Sequence, residues 1–378
     1  MHRLQLHYTL GPDSAPATVR NPLIDLLQAV AGHGSISAAA RSLGLSYRHV
    51  WGELKRWEDK LGYGLVVWEK GHAARLTEFG AKLMWAERQA QARLSPQIEA
   101  LRGELERAFS VAFDARAHVV TLYASHDDAL AALREFALAA GQQHEVRRDA
   151  EGPLHMDIRF CGSVDAIRAL NEGRCEIAGF HTLDQPARGS LAEHIYKPLL
   201  RPGRHKLITF ARRTQGLLVA PDNPLQLASL HDVARTRARY VNRTLGTGTR
   251  LLLDQLLAQG GLAATSVLGY EHTEPSPAAV AHAIAAGDAD AGLGIESSAI
   301  HAGLGFVPLA HENYHLVCLK SALDQAPTRA LLRLLRSTAW CTQLDQMPGY
   351  RRAGSADVLS LRQVLPWWDF KPRRTENR

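Results

Sequence analysis

Residues 32–61 read Gly-His-Gly-Ser-Ile-Ser-Ala-Ala-Ala-Arg-Ser-Leu-Gly-Leu-Ser-Tyr-Arg-His-Val-Trp-Gly-Glu-Leu-Lys-Arg-Trp-Glu-Asp-Lys-Leu. Two short helices with a tight turn account for this pattern. The first sets Ile36, Ala39, Ala40 and Leu43 on one side. Gly44 breaks it, Leu45 plugs the corner and Ser46 is placed to cap a second helix. Val50, Leu54, Trp57 and Leu61 then recur at steps of four, three and four, which buries one face of that helix. Its other face presents Tyr47, Arg48, Trp51 and Lys55. A helix pair with glycine in the turn and a polar, partly basic second helix is the helix-turn-helix device that enters the DNA major groove. An ordinary helical hairpin is the alternative on periodicity alone.

The residue types narrow the choice. Gly34 to Ala40 followed by Leu43-Gly44-Leu45-Ser46 resembles the start of LysR-type and ModE-type winged-helix regulators. Ser46-Tyr47-Arg48-His49-Val50-Trp51 is closer to the ModE type, as is Lys70-Gly71-His72-Ala73-Ala74-Arg75-Leu76-Thr77-Glu78-Phe79-Gly80, which looks like a wing running into a linker helix. The similarity covers about residues 20–90. It implies double-stranded DNA as partner, with contacts from Ser35, Ser37, Ser46, Tyr47, Arg48, Trp51, Lys55, His72 and Arg75.

Charge is distributed in keeping with this. The formal net charge is +6. Residues 116–350 balance, with 23 Lys+Arg against 23 Asp+Glu, whereas residues 20–75 hold 8 basic against 5 acidic and residues 351–378 hold 7 against 3. A neutral large domain between mildly basic ends argues against diffuse polyanion binding and for a nucleic-acid contact in one small module. No apolar run approaches the roughly 20 residues of a membrane span. The start, Met1 to Tyr8, has no signal-peptide core; Leu4, Leu6, Tyr8 and Leu10 alternate as in a strand. Cys161, Cys175, Cys318 and Cys341 form no CxxC pair, so neither a metal site nor a disulfide framework is indicated. A cytoplasmic location is expected.

Four segments follow: a winged helix over 1–80, a linker helix over 81–115, a larger domain over 116–350, and a C-terminal extension over 351–378. The linker carries Leu83, Ala90, Leu94, Ile98, Leu101 and Leu105 on one stripe, interrupted by Pro96, a spacing suited to pairing with a second copy. A homodimer or homotetramer is expected. The tail reads as structural or disordered. Beyond His118 short strands alternate with helices. Strands are expected at Val119–Ala124, Ile158–Phe160, Ile177–Phe180, Lys206–Phe210, Gly216–Ala220, Tyr240–Asn242, Ala291–Ile295 and Tyr314–Leu319. Such alternation implies parallel sheets, so the chain as a whole is α/β: a helical DNA-binding head, then two α/β lobes.

In such sheets ligands gather where strands end and helices begin, because free N–H groups and the positive helix end favour an anion. Three junctions carry small polar residues: Ser125-His126-Asp127, Gly162-Ser163, and Asn242 to Arg250 through Thr247-Gly248-Thr249. Ser and Thr there are often helix caps and nothing more. Segments of residues 119–320 resemble the PBP-like domain, a relative of type 2 periplasmic solute-binding proteins. They include Ser125-His126-Asp127, Gly173 to His181, Arg213 to Val219, Asn242-Arg243 with Gly246 to Arg250, and Ala289 to Ile295. The resemblance implies that this domain takes molybdate, tungstate or a molybdenum-cofactor-related ligand. The expected ligand-binding residues are Ser125, His126, Gly162, Ser163, His181, Asn242, Thr247, Gly248, Thr249 and Arg250, with neutral donors doing most of the work. Arg243 reads as a structural salt-bridge former and Arg250 as the cation facing the pocket.

The resulting expectation is a ligand-responsive transcription regulator, without catalytic residues, metal or cofactor, whose effector is a small oxyanion. The same layout sensing a small carboxylate such as formate is the alternative. An anion-storage protein and an enzyme with a DNA-binding head are weaker rivals: no Gly-x-Ser-x-Gly elbow, His-Glu-x-x-His or Walker loop occurs.

Overall fold

The computed structural model describes residues 21–68, 73–113, 116–147, 152–354 and 356–368. The strand expected before residue 20, and His72, lie outside these. Contacts divide the chain into two compact units, Met1–Ser95 and Pro96–Arg378.

The first unit is built on capped helices. α1 (Pro22–His33) begins at Asn21, whose side chain accepts the Leu23 N–H, and ends at Gly34 with φ 59°, a left-handed position that glycine adopts without a Cβ penalty. Ser35 caps α2 (Ile36–Ser42) and Ser46 caps α3 (Tyr47–Leu61). Leu27 and Val30 of α1, Ile36 and Ala39 of α2, and Val50 and Leu54 of α3 close one apolar core. Val66–Val67 (β1) pairs antiparallel with Arg75–Leu76 (β2) as a short ribbon. Glu58, late in α3, holds that ribbon by accepting the N–H groups of Leu65 at 2.7 Å and Val66 at 3.3 Å. α4 (Glu78–Phe113) continues through Pro96 as one helix, and the two units divide within it.

The second unit holds a ten-stranded mixed sheet. Its first half contains β3 (His118–Ala124), α5 (Asp128–Arg147), β4 (Leu154–Phe160), α6 (Ser163–Asn171), β5 (Ile177–Leu183) and α7 (Leu191–Tyr196). A long strand, β6 (His205–Val219), leads to α8 (Leu230–Thr236), β7 (Tyr240–Arg243), α9 (Gly248–Gln259), β8 (Thr273–Glu274), α10 (Pro277–Ala285), β9 (Ala291–Ile295) and α11 (Glu296–Ala302). A second long strand, β10 (Gly305–Leu319), returns beside β6, followed by α12 (Ala326–Arg336) and α13 (Thr338–Asp345). The strand order is β4-β3-β5-β10-β6-β9-β7-β8. β3 is parallel to β4 and β5, and β7 is parallel to β8 and β9. β10 runs antiparallel to both β5 and β6.

Two parallel groups are thus joined through an antiparallel pair of 15-residue strands. The parallel sheets expected from strand–helix alternation exist only within each group. β6 is also continuous where the sequence suggests two short strands. Arg212, Arg213, Thr214 and Gln215 look like a polar break, yet Arg213 and Gln215 are buried because Glu312 on β10 lies beside them.

Separate apolar clusters serve the two groups. Leu122, Leu130, Ile158, Leu331 and Trp340 pack around one; Leu217, Val233, Leu253 and Leu293 around the other. Past residue 350, β11 (Tyr350–Arg352) and β12 (Val358–Ser360) both pair with β6, and α14 (Leu361–Val364) follows. Leu361, Leu365 and Trp367 are buried with Phe180 and Tyr196. This part of the C-terminal extension is structural; residues 369–378 lie outside the described ones.

Candidate functional site

In the first unit, α3 presents Tyr47, Arg48, His49 and Lys55 to solvent. Tyr47 and Trp51 stack in parallel, with centroids 6.4 Å apart, and Trp68 meets Trp51 edge-on. The Lys55 ammonium stands 5.0 Å from the Trp51 ring and 2.7 Å from Glu58. Arg75 is exposed on β2 and Ser37 on α2. Two residues assigned to DNA from sequence are engaged locally. The Ser35 oxygen accepts the Ala38 N–H and the Ser46 oxygen accepts the His49 N–H. Their hydroxyl protons remain available to a phosphate. Arg48, exposed in the first turn where base-edge contacts are made, is expected to matter most: Arg48→Ala should weaken operator binding by about 1–3 kcal/mol. An electrophoretic shift assay checks this, and unchanged affinity counts against the helix assignment.

In the second unit, a polar cluster gathers at the carboxyl ends of strands from both groups. Ser125, just past β3, and Ser163, the first residue of α6, are buried with their Oγ atoms 2.9 Å apart. The turn at Gly162 meets the loop before α9: a Cβ on Gly162 would lie 2.5 Å from the Gly246 carbonyl oxygen. A Cβ on Gly248 would stand 2.8 Å from His181 Nδ1 and 3.3 Å from Ser163 Oγ. Only glycine allows either approach. The positive ends of α6 and α9 therefore converge beside two serine hydroxyls and one imidazole.

His181 on β5 is buried, and neither ring nitrogen has a hydrogen-bond partner among the described residues. Its ring is fixed by Tyr314, stacked 3.9 Å away; the Tyr314 hydroxyl donates to the Ser125 carbonyl. Burial, then the charges of Arg213, His315 and Arg243, hold the His181 pKa well below the ordinary range for histidine.

Arg243, at the end of β7, is the other decisive residue. It is 6% exposed, donates from one Nη to the Pro275 carbonyl at 3.0 Å, and has no carboxylate partner among the described residues. Its Nε is buried without an acceptor. Burial pushes its pKa down to about 9, helped by the like charge of Arg213. A buried guanidinium without a counter-ion is costly, and an incoming anion removes that cost.

Arg213 is the contrasting case. Asp127 lies 2.5 Å from one Nη and Glu312 lies 3.0 Å from Nε. Gln215 donates to Glu312, and Tyr350 donates to Asp127. Asp127 also caps α5 through the Ala129 and Leu130 N–H groups. Burial opposes the Arg213 charge, but Glu312 and Asp127 outweigh it and lift its pKa above the usual value. This network ties β6, β10, β11 and the start of α5 together where the two long strands cross between the groups.

The structure brings together Ser125, Gly162, Ser163, His181 and Gly248 from the sequence assignment. Others are engaged elsewhere. Thr247 accepts the Arg250 N–H as the α9 cap and donates to the Thr244 carbonyl. Asn242 donates to the Tyr270 carbonyl and accepts the Arg243 N–H. His126 packs its ring on Phe160, and Thr249 is half-buried in the first turn of α9. Arg250 is not the free cation: it lies 3.5 Å from Asp254, donates to the Tyr270 carbonyl, and covers the Tyr270 ring at 3.9 Å. The ion pair expected of Arg243 is made by Arg250 instead. A signal existed: Arg250 and Asp254 stand four apart in one helix, the spacing of an ion pair, whereas no carboxylate flanks Arg243 from residue 239 to 247.

Each unit has a family match of its own. Residues 144–336, just over half the chain, match the family described as PBP superfamily domain. Residues 23–81 match the bacterial regulatory helix-turn-helix proteins of the lysR family. An uncharacterized protein of Bacillus subtilis (strain 168), YvgK, is 30% identical over 209 residues; the match spans 55% of this chain and 66% of that protein. An uncharacterized Clostridium pasteurianum protein from the 5′ region of a 2Fe-2S ferredoxin gene is 30% identical over 111 residues, 29% of this chain and 98% of its own. Among solved structures, Corynebacterium glutamicum OxyR aligns at 17% identity with a TM-score of 0.39, over 85% of this chain and 94% of its own.

Proposed function

Because the chain belongs to the PBP superfamily and carries a LysR-family helix-turn-helix, we propose that it controls transcription in response to a small oxyanion bound by its PBP-like unit. It is a LysR-type DNA-binding transcriptional regulator; the identity of the effector is our addition. The observation that carries it is a buried guanidinium, Arg243, acting by charge on a buried histidine, His181: among the described residues the first has no carboxylate and the second no partner for either ring nitrogen. Beside the histidine stand Ser163 Oγ, hydrogen-bonded to Ser125 Oγ, and the N-terminus of α9, with the turn that leads into α6 against the loop before α9. Hydroxyl and N–H donors together with one uncompensated positive charge acting on the same histidine suit a compact anion with several equivalent oxygens. Molybdate and tungstate are the first effectors to consider, because residues 46–51 and 70–80 resemble the ModE type. Genes of molybdenum metabolism or molybdoenzymes are then the regulated set.

Calorimetric titration of the full chain with molybdate, tungstate, sulfate, phosphate and formate tests this reading. An oxyanion binding in the micromolar range supports it. Formate alone binding would assign the site to a carboxylate, and no binding by any of them would overturn it. Ser163→Ala should cost the preferred anion about 1–3 kcal/mol by leaving one oxygen without a donor; an unchanged titration places the anion elsewhere.

Assembly follows from α4. Leu94 and Leu101 are exposed and Leu83, Ile98 and Leu105 half-buried along its stripe. Pairing of two copies through this helix fits a two-fold operator. Leu94→Glu with Leu101→Glu should shift the chain toward monomer in light scattering at micromolar concentration. A double variant as large as the parent contradicts pairing through α4.

A further inference from the structure

We propose that His181 takes up a proton as the anion binds, so that occupancy of the site is coupled to pH. The inference rests on the oxyanion reading above. Its basis is the geometry of one side chain. His181 is 3% exposed, stacked on Tyr314, and its Nδ1 lies against the N-terminus of α9, where a Cβ on Gly248 would stand 2.8 Å from it and 3.3 Å from Ser163 Oγ.

A neutral imidazole offers one N–H and one lone pair. Both nitrogens lack partners among the described residues. A fully deprotonated oxyanion presents only acceptors. It accepts from the one nitrogen that faces it, and protonation of the ring turns that hydrogen bond into a charge-assisted one.

Charge balance points the same way. Tyr314 from β10 stacks on His181, Arg213 from β6 and Arg243 from β7 act on it by charge, and His315, next to Tyr314 on β10, lies on the other face of the sheet against Phe180 and Thr182. Ser163 comes from α6, and Glu312 and Asp127 reach it through Arg213. Arg213 is matched by its two carboxylates and Arg243 by none among the described residues. In the empty site burial, and after it the charges of Arg213, His315 and Arg243, favour neutral His181. A bound dianion exceeds the single uncompensated positive charge, and the nearest group able to accept a proton is His181. The step is a transfer from water or buffer to an imidazole nitrogen; no bond of the anion changes.

The test is calorimetry on the full chain with molybdate and with sulfate, at about pH 6.5, in buffers of different ionisation enthalpy. The slope of observed enthalpy against buffer enthalpy counts protons, and it should approach one proton taken up per anion. Affinity should fall as pH rises, toward tenfold per pH unit, until the bound imidazolium itself titrates. His181→Gln, which supplies a donor and an acceptor but cannot titrate, should bind with a slope near zero. A parent slope near zero with normal binding overturns the proton coupling and leaves the oxyanion reading standing. A parent-like slope in His181→Gln overturns the assignment to this residue. Failure of every oxyanion to bind overturns the site itself. The parent measurements stand alone should the variant not fold.

Discussion

Arg243→Met should reduce oxyanion affinity by about 3–5 kcal/mol, the scale on which loss of one buried charge partner is felt, and should leave operator binding by the ligand-free protein intact. The guanidinium supplies the only cation of the cluster that lacks a carboxylate among the described residues, so no neighbour replaces it. The same change should raise the melting temperature of the ligand-free chain. Burial already pushes the Arg243 pKa down to about 9, which means that the empty fold bears a cost for holding the charge. The sign is the reverse of a salt bridge: a cation whose pKa falls on folding destabilises the folded state wherever it is charged. Met fills much of the volume without that cost, although the Pro275 carbonyl loses its donor. Calorimetry and thermal unfolding of the variant check both halves. Unchanged affinity together with a lower melting temperature would make Arg243 a structural residue.

Arg213→Met should do the opposite. Removing this guanidinium leaves Asp127 and Glu312, 0% and 2% exposed, without the countercharge that both share. A cost of about 3–5 kcal/mol is expected. At roughly 2–4 °C per kcal/mol this lowers the melting temperature by about 10 °C. The double replacement Arg213→Met with Glu312→Gln should recover part of the loss, because one orphaned carboxylate is gone. Thermal unfolding decides: a parent-like Arg213→Met would mean that the network contributes nothing to holding β6 and β10 together.

These two arginines also show where sequence reading stops. The helix-turn-helix was legible because caps and periodicity are local: Asn21, Ser35, Ser46, Gly34 and Gly62 all stand at helix ends. The strand ends that carry Ser125 and Gly162-Ser163 were legible for the same reason, whereas His181 lies within β5, which runs on past Phe180 to Leu183. What was hidden depends on pairing between distant strands. Arg213 meets Glu312 across 99 positions and Asp127 across 86. Nothing near Arg213 in sequence announces that it is buried, so a 15-residue strand reads as two strands with a polar gap. Arg243 was misjudged in the opposite sense, since a salt bridge is the ordinary fate of a buried arginine. Only the sheet shows that no carboxylate reaches it among the described residues. The burial of Trp367 was equally out of reach, because a basic tail looks alike whether or not its apolar residues find a core.

The most direct measurement of the central claim is diffraction from crystals of the full chain grown with tungstate, using the anomalous signal of tungsten to locate the anion. The account predicts a single strong peak in the second unit, within hydrogen-bond reach of Arg243, His181 and Ser163 and between the N-termini of α6 and α9. A peak beside Arg250 and Tyr270, a peak confined to the surface, or no peak at a saturating concentration would contradict it.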